Sequence, residues 1–158
     1  MNIELKGIKH YASMSEETYC YEAILYRDGK KVGRVSNRGH GGADNTDFPV
    51  SVYQEIDLWC RANLPVNISP IDGAEYGTTL EMWCHQKVAD FLDRRDLKKA
   101  LRKTVVRMPA GETYSMNVPW TEADAERIRA AIEKQMPEGV ILNALPFEDA
   151  LNLWRQQI

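Results

Sequence analysis

The sequence lacks the features that mark membrane-spanning and secreted chains. It contains no apolar run near the roughly 20 residues that a transmembrane helix requires. Its first residues, Met1 to Lys6, lack the basic and apolar blocks of a signal peptide. Its three cysteines are an odd number at wide spacing, so they do not predict a disulfide framework. We therefore expect a cytoplasmic protein that does not associate with a membrane.

The chain also lacks a strong overall charge and any compositional bias. Its net charge of −3 and its isoelectric point near 5.7 predict no general attraction to nucleic acid or to an anionic membrane. Hydrophobic residues make up 44% of the chain and charged residues 27%, which argues against a disordered or fibrous protein. A chain of 158 residues is long enough to bury a core, so we expect one globular domain over residues 1–158.

What the sequence does contain is a series of short apolar segments separated by turn residues. Ile3 to His10 is a predicted strand, and two hairpins are predicted around Asp28-Gly29 and around Pro109 to Glu112. Asn63 to Gly77 is a predicted loop. Helices are expected to begin near Thr46 or Asp47, Thr78 or Thr79, Asp96, Thr121 and Pro146, unless the second and third form one bent helix. These elements predict an α+β fold, with a small antiparallel or mixed sheet built from two hairpins and covered by four or five helices.

A glycine-rich loop follows the first hairpin. Residues 37–44 read Asn-Arg-Gly-His-Gly-Gly-Ala-Asp, with three glycines within four residues. Such a cluster indicates positive φ angles or the close approach of another group. Because a helix is expected just after it, the loop also resembles segments that present backbone N–H groups to an anion. The candidate ligand-binding residues are Arg38, Gly39, His40, Gly41, Gly42 and Asp44.

Two interpretations of this loop remain open. In one, it binds an anionic or nucleotide-like ligand, with Arg38 supplying positive charge and His40 a proton. In the other, it is a structural turn, because it lacks the lysine and hydroxyl of a P-loop and because Asp44 and Asp47 repel phosphate. His40 near these two carboxylates is also a candidate general base or metal ligand, but no spacing matches a zinc pattern. We therefore predict no metal, no cofactor and no catalytic residue, and favour a protein that is not an enzyme.

A basic segment lies in the second half of the chain. Between residues 94 and 107, seven lysines and arginines are offset only by Asp96, which leaves a local charge of +6. On a helix, Arg95, Lys98, Lys99 and Arg102 share one face. This face predicts a surface for a protein partner or, with weaker support, for a nucleic-acid backbone. A solvated helical face explains the same pattern, and no run of aromatic residues accompanies it.

A resemblance to a known group of proteins covers about residues 1–45. The segments that carry it read EETYCYEA from Glu16, DGKKVG from Asp28 and SNRGHGG from Ser36. They resemble the N-terminal part of small uncharacterised proteins of bacteriophages and mobile elements. The resemblance implies an accessory protein acting inside a bacterial cell, and it assigns no activity to any residue. We therefore expect a non-enzymatic intracellular binding protein, a phage-type accessory factor that engages or inhibits a host protein. The alternative is a small ligand-binding domain or enzyme that uses residues 37–44.

Overall fold

The α+β class predicted from the sequence is confirmed by the computed structural model, which describes residues 1–156. Over these described residues, four α-helices accompany three antiparallel sheets, where the sequence predicted one sheet built from two hairpins. The chain divides between Asp90 and Phe91 into two compact units. Within the described residues, no helix combines the length and the apolar character that crossing a membrane requires.

The first unit contains a four-stranded antiparallel sheet in the order β1-β2-β3-β4. These strands are β1 (Ile3–His10), β2 (Cys20–Arg27), β3 (Lys30–Arg38) and β4 (Asn45–Thr46). β2 and β3 form the first predicted hairpin, and Asp28 and Gly29 at its tip both have positive φ angles. Because side chains alternate between the two faces of a strand, Tyr21, Ala23 and Leu25 are buried on one face of β2.

The first helix begins later than expected, whereas the second begins at the expected place. α1 (Val50–Asn63) follows Pro49, because Thr46 lies in β4 and the Asp47 carboxylate accepts a hydrogen bond from the Arg34 backbone N–H instead of capping the helix. The predicted loop contains a short hairpin of β5 (Asn67–Ile68) and β6 (Glu75–Tyr76).

α2 (Leu80–Ala100) is one continuous helix, so Asp96 does not start a separate one. Thr79 precedes this helix, and its hydroxyl accepts a hydrogen bond from the Met82 N–H at 3.0 Å. The fully buried side chains of the first unit come from β2, β3, α1 and the first half of α2, and the largest are Tyr21, Leu25, Val35, Ile56, Leu80 and Val88.

The second unit contains the end of α2 and a three-stranded antiparallel sheet in the order β8-β7-β9. β7 (Thr104–Arg107) and β8 (Thr113–Met116) form the second predicted hairpin, and every residue of the central strand β7 is buried. The remaining elements are α3 (Ala125–Gln135), β9 (Val140–Ile141) and α4 (Phe147–Arg155). One core cluster joins Leu97, Val105, Leu142, Ala150 and Leu151, and the other joins Val106, Ile128 and Ile132.

Candidate functional site

Of the glycine-rich loop, Asn37 and Arg38 belong to the end of β3, and the remainder is held in place by hydrogen bonds within the protein. The Gly39 N–H donates to Asn37 Oδ1 at 2.8 Å, and the Gly39 carbonyl accepts the N–H groups of residues 16–18 at 3.0, 2.9 and 3.3 Å. Gly39 has a φ angle of +87°, and a Cβ atom there would lie 2.1 Å from the carbonyl oxygen of Met14. Glycine is therefore required at this position by the backbone, whatever the loop binds.

The other residues predicted to bind a ligand do not converge on one site. His40 is exposed, and its Nδ1 lies 3.0 Å from Glu16 Oε2. Arg38 lines a separate groove of about 290 Å³. The Gly41 N–H donates to the Thr18 hydroxyl at 3.4 Å. Because two of the glycine N–H groups already bond within the protein, the loop offers little of the free backbone that anion binding requires.

Asp44, at the end of the loop, is the best-buried acidic side chain of this region, with 2% of it exposed. Its Oδ2 accepts a hydrogen bond from the Tyr21 hydroxyl at 2.5 Å. Its Oδ1 accepts one from Asn37 Nδ2 at 3.0 Å and another from His85 Nε2 at 3.0 Å. Three donors from β2, β3 and α2 therefore fix the orientation of this carboxylate.

Glu81 completes a set of three side chains that we call the acidic cluster: Asp44, Glu81 and His85. The Asp44 backbone N–H donates to Glu81 Oε1 at 3.0 Å. Glu81 and His85 lie four residues apart on α2, so both face the same side of the helix. One donor atom from each of the three residues lies within 4.8 Å of the others.

Sequence reasoning grouped Asp44 with its chain neighbours His40 and Asp47. It considered His85 only as a packed or half-exposed helix residue, and it missed Glu81. The available signal was the spacing of Glu81 and His85 on a helix, which places an acid and an imidazole side by side. Glu81 and His85 contact Asp44 across 37 and 41 residues, so no spacing in the sequence reveals their proximity.

The acidic cluster carries more negative than positive charge. Among residues 1–156, no lysine or arginine forms an ion pair with Asp44 or Glu81. The hydrogen bond that His85 donates to Asp44 raises the pKa of His85 above its usual value of 6.5, although burial opposes the shift. Burial, followed by the charges of Asp57, Glu81 and Asp44, raises the pKa of Tyr53 to about 12.

The negative charge of Asp44 also affects the pKa values of two buried neighbours, Cys84 and Tyr21. Burial is the largest cause that raises the pKa of the Cys84 thiol, and Asp44 adds to the increase. The pKa of Tyr21 is likewise raised, first by burial and then by neighbouring charges including Asp44. Cys84 is therefore a thiol and not a thiolate, which makes it a poor nucleophile.

A groove of about 430 Å³ lies beside the acidic cluster and reaches it at His85. His85, with 27% of its side chain exposed, is the cluster residue that lines this groove. The lining residues are Ser15, Glu16, Glu17, Thr18, Tyr19 and His85. Two further carboxylates thus lie along the groove, and its electrostatic character favours positive charge.

The basic residues predicted as a partner surface lie in the second unit and are all exposed. Arg95 Nε lies 3.0 Å from Asp96 Oδ1, and Lys98 Nζ lies 5.6 Å from the centre of the Phe147 ring. Lys99 is also on α2, but Arg102 is not, since the helix ends at Ala100. The prediction that all four residues share one helical face is therefore corrected for Arg102.

Known proteins give no guide to the function of the acidic cluster. Comparison of the chain with protein-family models, with curated proteins and with solved structures yields no match. The resemblance of about residues 1–45 to bacteriophage and mobile-element proteins stays a prediction.

Proposed function

We propose that the first unit is a binding domain for a small cationic ligand, with the acidic cluster as its site. The observation that carries this proposal is that Asp44 and Glu81 have no lysine or arginine counter-ion among the described residues. Removing a carboxylate from water is unfavourable, and the hydrogen bonds that Asp44 accepts offset part of this cost without neutralising its charge. His85 supplies at most one positive charge, so a cation stabilises the cluster.

The strength of this effect follows from the separation of the charges. Two carboxylates at most 4.8 Å apart repel each other by roughly 3 kcal/mol at an effective dielectric constant of about 20. A bound cation converts that repulsion into attraction to both groups. An anionic ligand, which the sequence of residues 37–44 predicted, meets repulsion from the same two carboxylates and from Glu16 and Glu17 at the groove. The charges thus support a cationic ligand over an anionic one.

Cation binding by matched glutamine variants tests the proposal. Glu81→Gln removes one charge and keeps an oxygen that can accept the Asp44 N–H, whereas Glu75→Gln removes an exposed carboxylate of β6. Isothermal titration calorimetry with Mn²⁺, Mg²⁺ and spermidine measures the affinities. We expect at least one of these cations to bind the wild type and to bind Glu81→Gln about tenfold more weakly, with Glu75→Gln unchanged. Failure of all three to bind, or equal binding to Glu81→Gln, would contradict the proposal.

A second candidate function is the phage-type accessory role, in which the chain engages a host protein. The exposed Lys98, Lys99 and Arg102 of the second unit support it, because clustered cations favour association with an acidic surface. The tagged chain should then recover one dominant protein from bacterial lysate. Replacing these three residues by glutamate should abolish that recovery, and an empty or unaltered pulldown would count against this role.

A further inference from the structure

We infer that the cation bound by the acidic cluster is a divalent first-row transition-metal ion, coordinated by Asp44, Glu81 and His85. This inference rests on the proposed function, because it names the ligand of the same site. Three observations support the metal site: the types of donor atom, the separations between these atoms and the hydrogen bonds that orient the side chains.

The donor types distinguish a transition metal from other cations. The acidic cluster offers two carboxylates and one imidazole, and imidazole is a ligand for ions such as Zn²⁺, Fe²⁺ and Ni²⁺, whereas carboxylates also suit Mn²⁺. Ca²⁺ and Mg²⁺ prefer oxygen ligands alone. An organic ammonium ion gains only a hydrogen bond from neutral His85 and is repelled when the imidazole is protonated. His85 is therefore the residue that selects the ion.

The separations of the donors are close to those of a metal site. Asp44 Oδ1 and His85 Nε2 lie 3.0 Å apart, and two bonds of about 2.1 Å to one ion at this separation enclose an angle of about 90°. Such an angle belongs to octahedral coordination, which Mn²⁺ adopts with oxygen ligands. Glu81 Oε1 accepts the Asp44 N–H, which leaves Oε2 for the ion. The three ligand atoms lie within 4.8 Å of one another, whereas two bonds of about 2.1 Å to one ion allow at most about 4.2 Å, so binding requires one side chain to shift.

The surroundings of Asp44 resemble those of a metal ligand. The Tyr21 hydroxyl and Asn37 Nδ2 donate to its two oxygens, and a carboxylate that ligates a metal is usually oriented by such hydrogen bonds. The ion takes the place of the proton that lies between His85 and Asp44. Three protein ligands leave further coordination positions, and the groove beside His85 provides room for water or a small ligand there.

Mn²⁺ binding to two histidine variants tests the inference. His85→Gln removes the imidazole of the acidic cluster. His40→Gln is a matched control, because His40 Nδ1 also lies 3.0 Å from a carboxylate oxygen, that of Glu16, but at an exposed site. The unbound ion is quantified by its electron paramagnetic resonance signal. We expect His85→Gln to bind Mn²⁺ at least tenfold more weakly than the wild type, and His40→Gln to bind it within twofold.

A pH series supplies a second readout. A metal ligand must be the neutral imidazole, so protons compete with the ion. The wild-type affinity for Mn²⁺ should rise about tenfold per pH unit below the pKa of His85 and level off above it. In His85→Gln this steep dependence should disappear.

The outcomes separate the two proposals. Equal Mn²⁺ binding by the wild type and His85→Gln, or an equal loss in His40→Gln, would overturn the inference. Binding of spermidine with neither Mn²⁺ nor Zn²⁺ bound in calorimetry would also overturn it and would leave the proposed function standing, whereas the absence of all cation binding would end both. Circular dichroism verifies the fold of His85→Gln. If His85→Gln does not fold, Mn²⁺ binding is measured with Glu81→Gln instead. A loss of Mn²⁺ affinity smaller than tenfold in Glu81→Gln would then count against the inference.

Discussion

Removal of the Tyr21 hydroxyl tests whether Asp44 is an ionised carboxylate held by buried donors. The Tyr21 side chain is fully buried, and its hydroxyl donates to Asp44 Oδ2 at 2.5 Å. Tyr21→Phe deletes only this donor and keeps the ring. A hydrogen bond to a charged group contributes about 1.5–3 kcal/mol, and water has little access to replace it because the Asp44 side chain is 2% exposed. We therefore expect the free energy of unfolding to fall by about 1.5–3 kcal/mol.

Urea denaturation followed by tryptophan fluorescence measures this change, since Trp59 and Trp83 lie in the first unit. Tyr26→Phe is the matched control, because Tyr26 is on the same strand, is half-buried and stacks against Lys6 through its ring. The control should alter the free energy of unfolding by no more than about 0.5 kcal/mol. A cost for Tyr21→Phe as small as that of the control would refute the view that Asp44 is a buried, charged acceptor.

Two further expectations concern the loop and His85. Gly39→Ala should lower the free energy of unfolding by at least about 2 kcal/mol, because its φ angle is +87° and its added Cβ atom would collide with the Met14 carbonyl. Gly42→Ala is the control, and it should change the free energy of unfolding by less than about 1 kcal/mol because the space around it is open. Equal effects of the two variants in urea denaturation would contradict this prediction. NMR titration should give His85 a pKa above 6.5 that falls in Asp44→Asn. Because the pKa of His85 is raised in the folded state, the stabilisation from protonated His85 is complete below pH 6.5 and is lost as the pH rises through the folded-state pKa. A denaturation series in which this stabilisation grows with pH would contradict the predicted direction.

Local sequence patterns predicted the elements that depend on residues adjacent in the chain. Asp28-Gly29 tolerates the positive φ angles of a tight hairpin turn, so that hairpin could be predicted from the sequence. β5 and β6 could not be predicted, because strands of two residues have no periodicity to detect. The separate helix expected at Asp96 does not exist, because that carboxylate pairs with Arg95 within a continuous helix.

The acidic cluster illustrates a different limit. Asp44 was singled out from the sequence because it ends a glycine-rich loop, but its neighbours along the chain are not its partners in space. Tyr21 belongs to an apolar strand pattern and gives no sign of the hydrogen bond that its hydroxyl makes. Glu81 and His85 reach Asp44 only because α2 packs beside the loop in the first unit. Local spacing predicts elements, whereas a site assembled from three elements requires the tertiary structure.

Anomalous diffraction from crystals soaked in Mn²⁺ tests the central claim most directly, because it locates the ion without assuming an affinity. We expect one dominant peak about 2.0–2.2 Å from an oxygen of Asp44, an oxygen of Glu81 and a nitrogen of His85. His85→Gln crystals soaked in the same way should lose that peak. A dominant peak outside the reach of these three side chains, or no peak at saturating Mn²⁺, would contradict the claim that the acidic cluster binds a divalent metal ion.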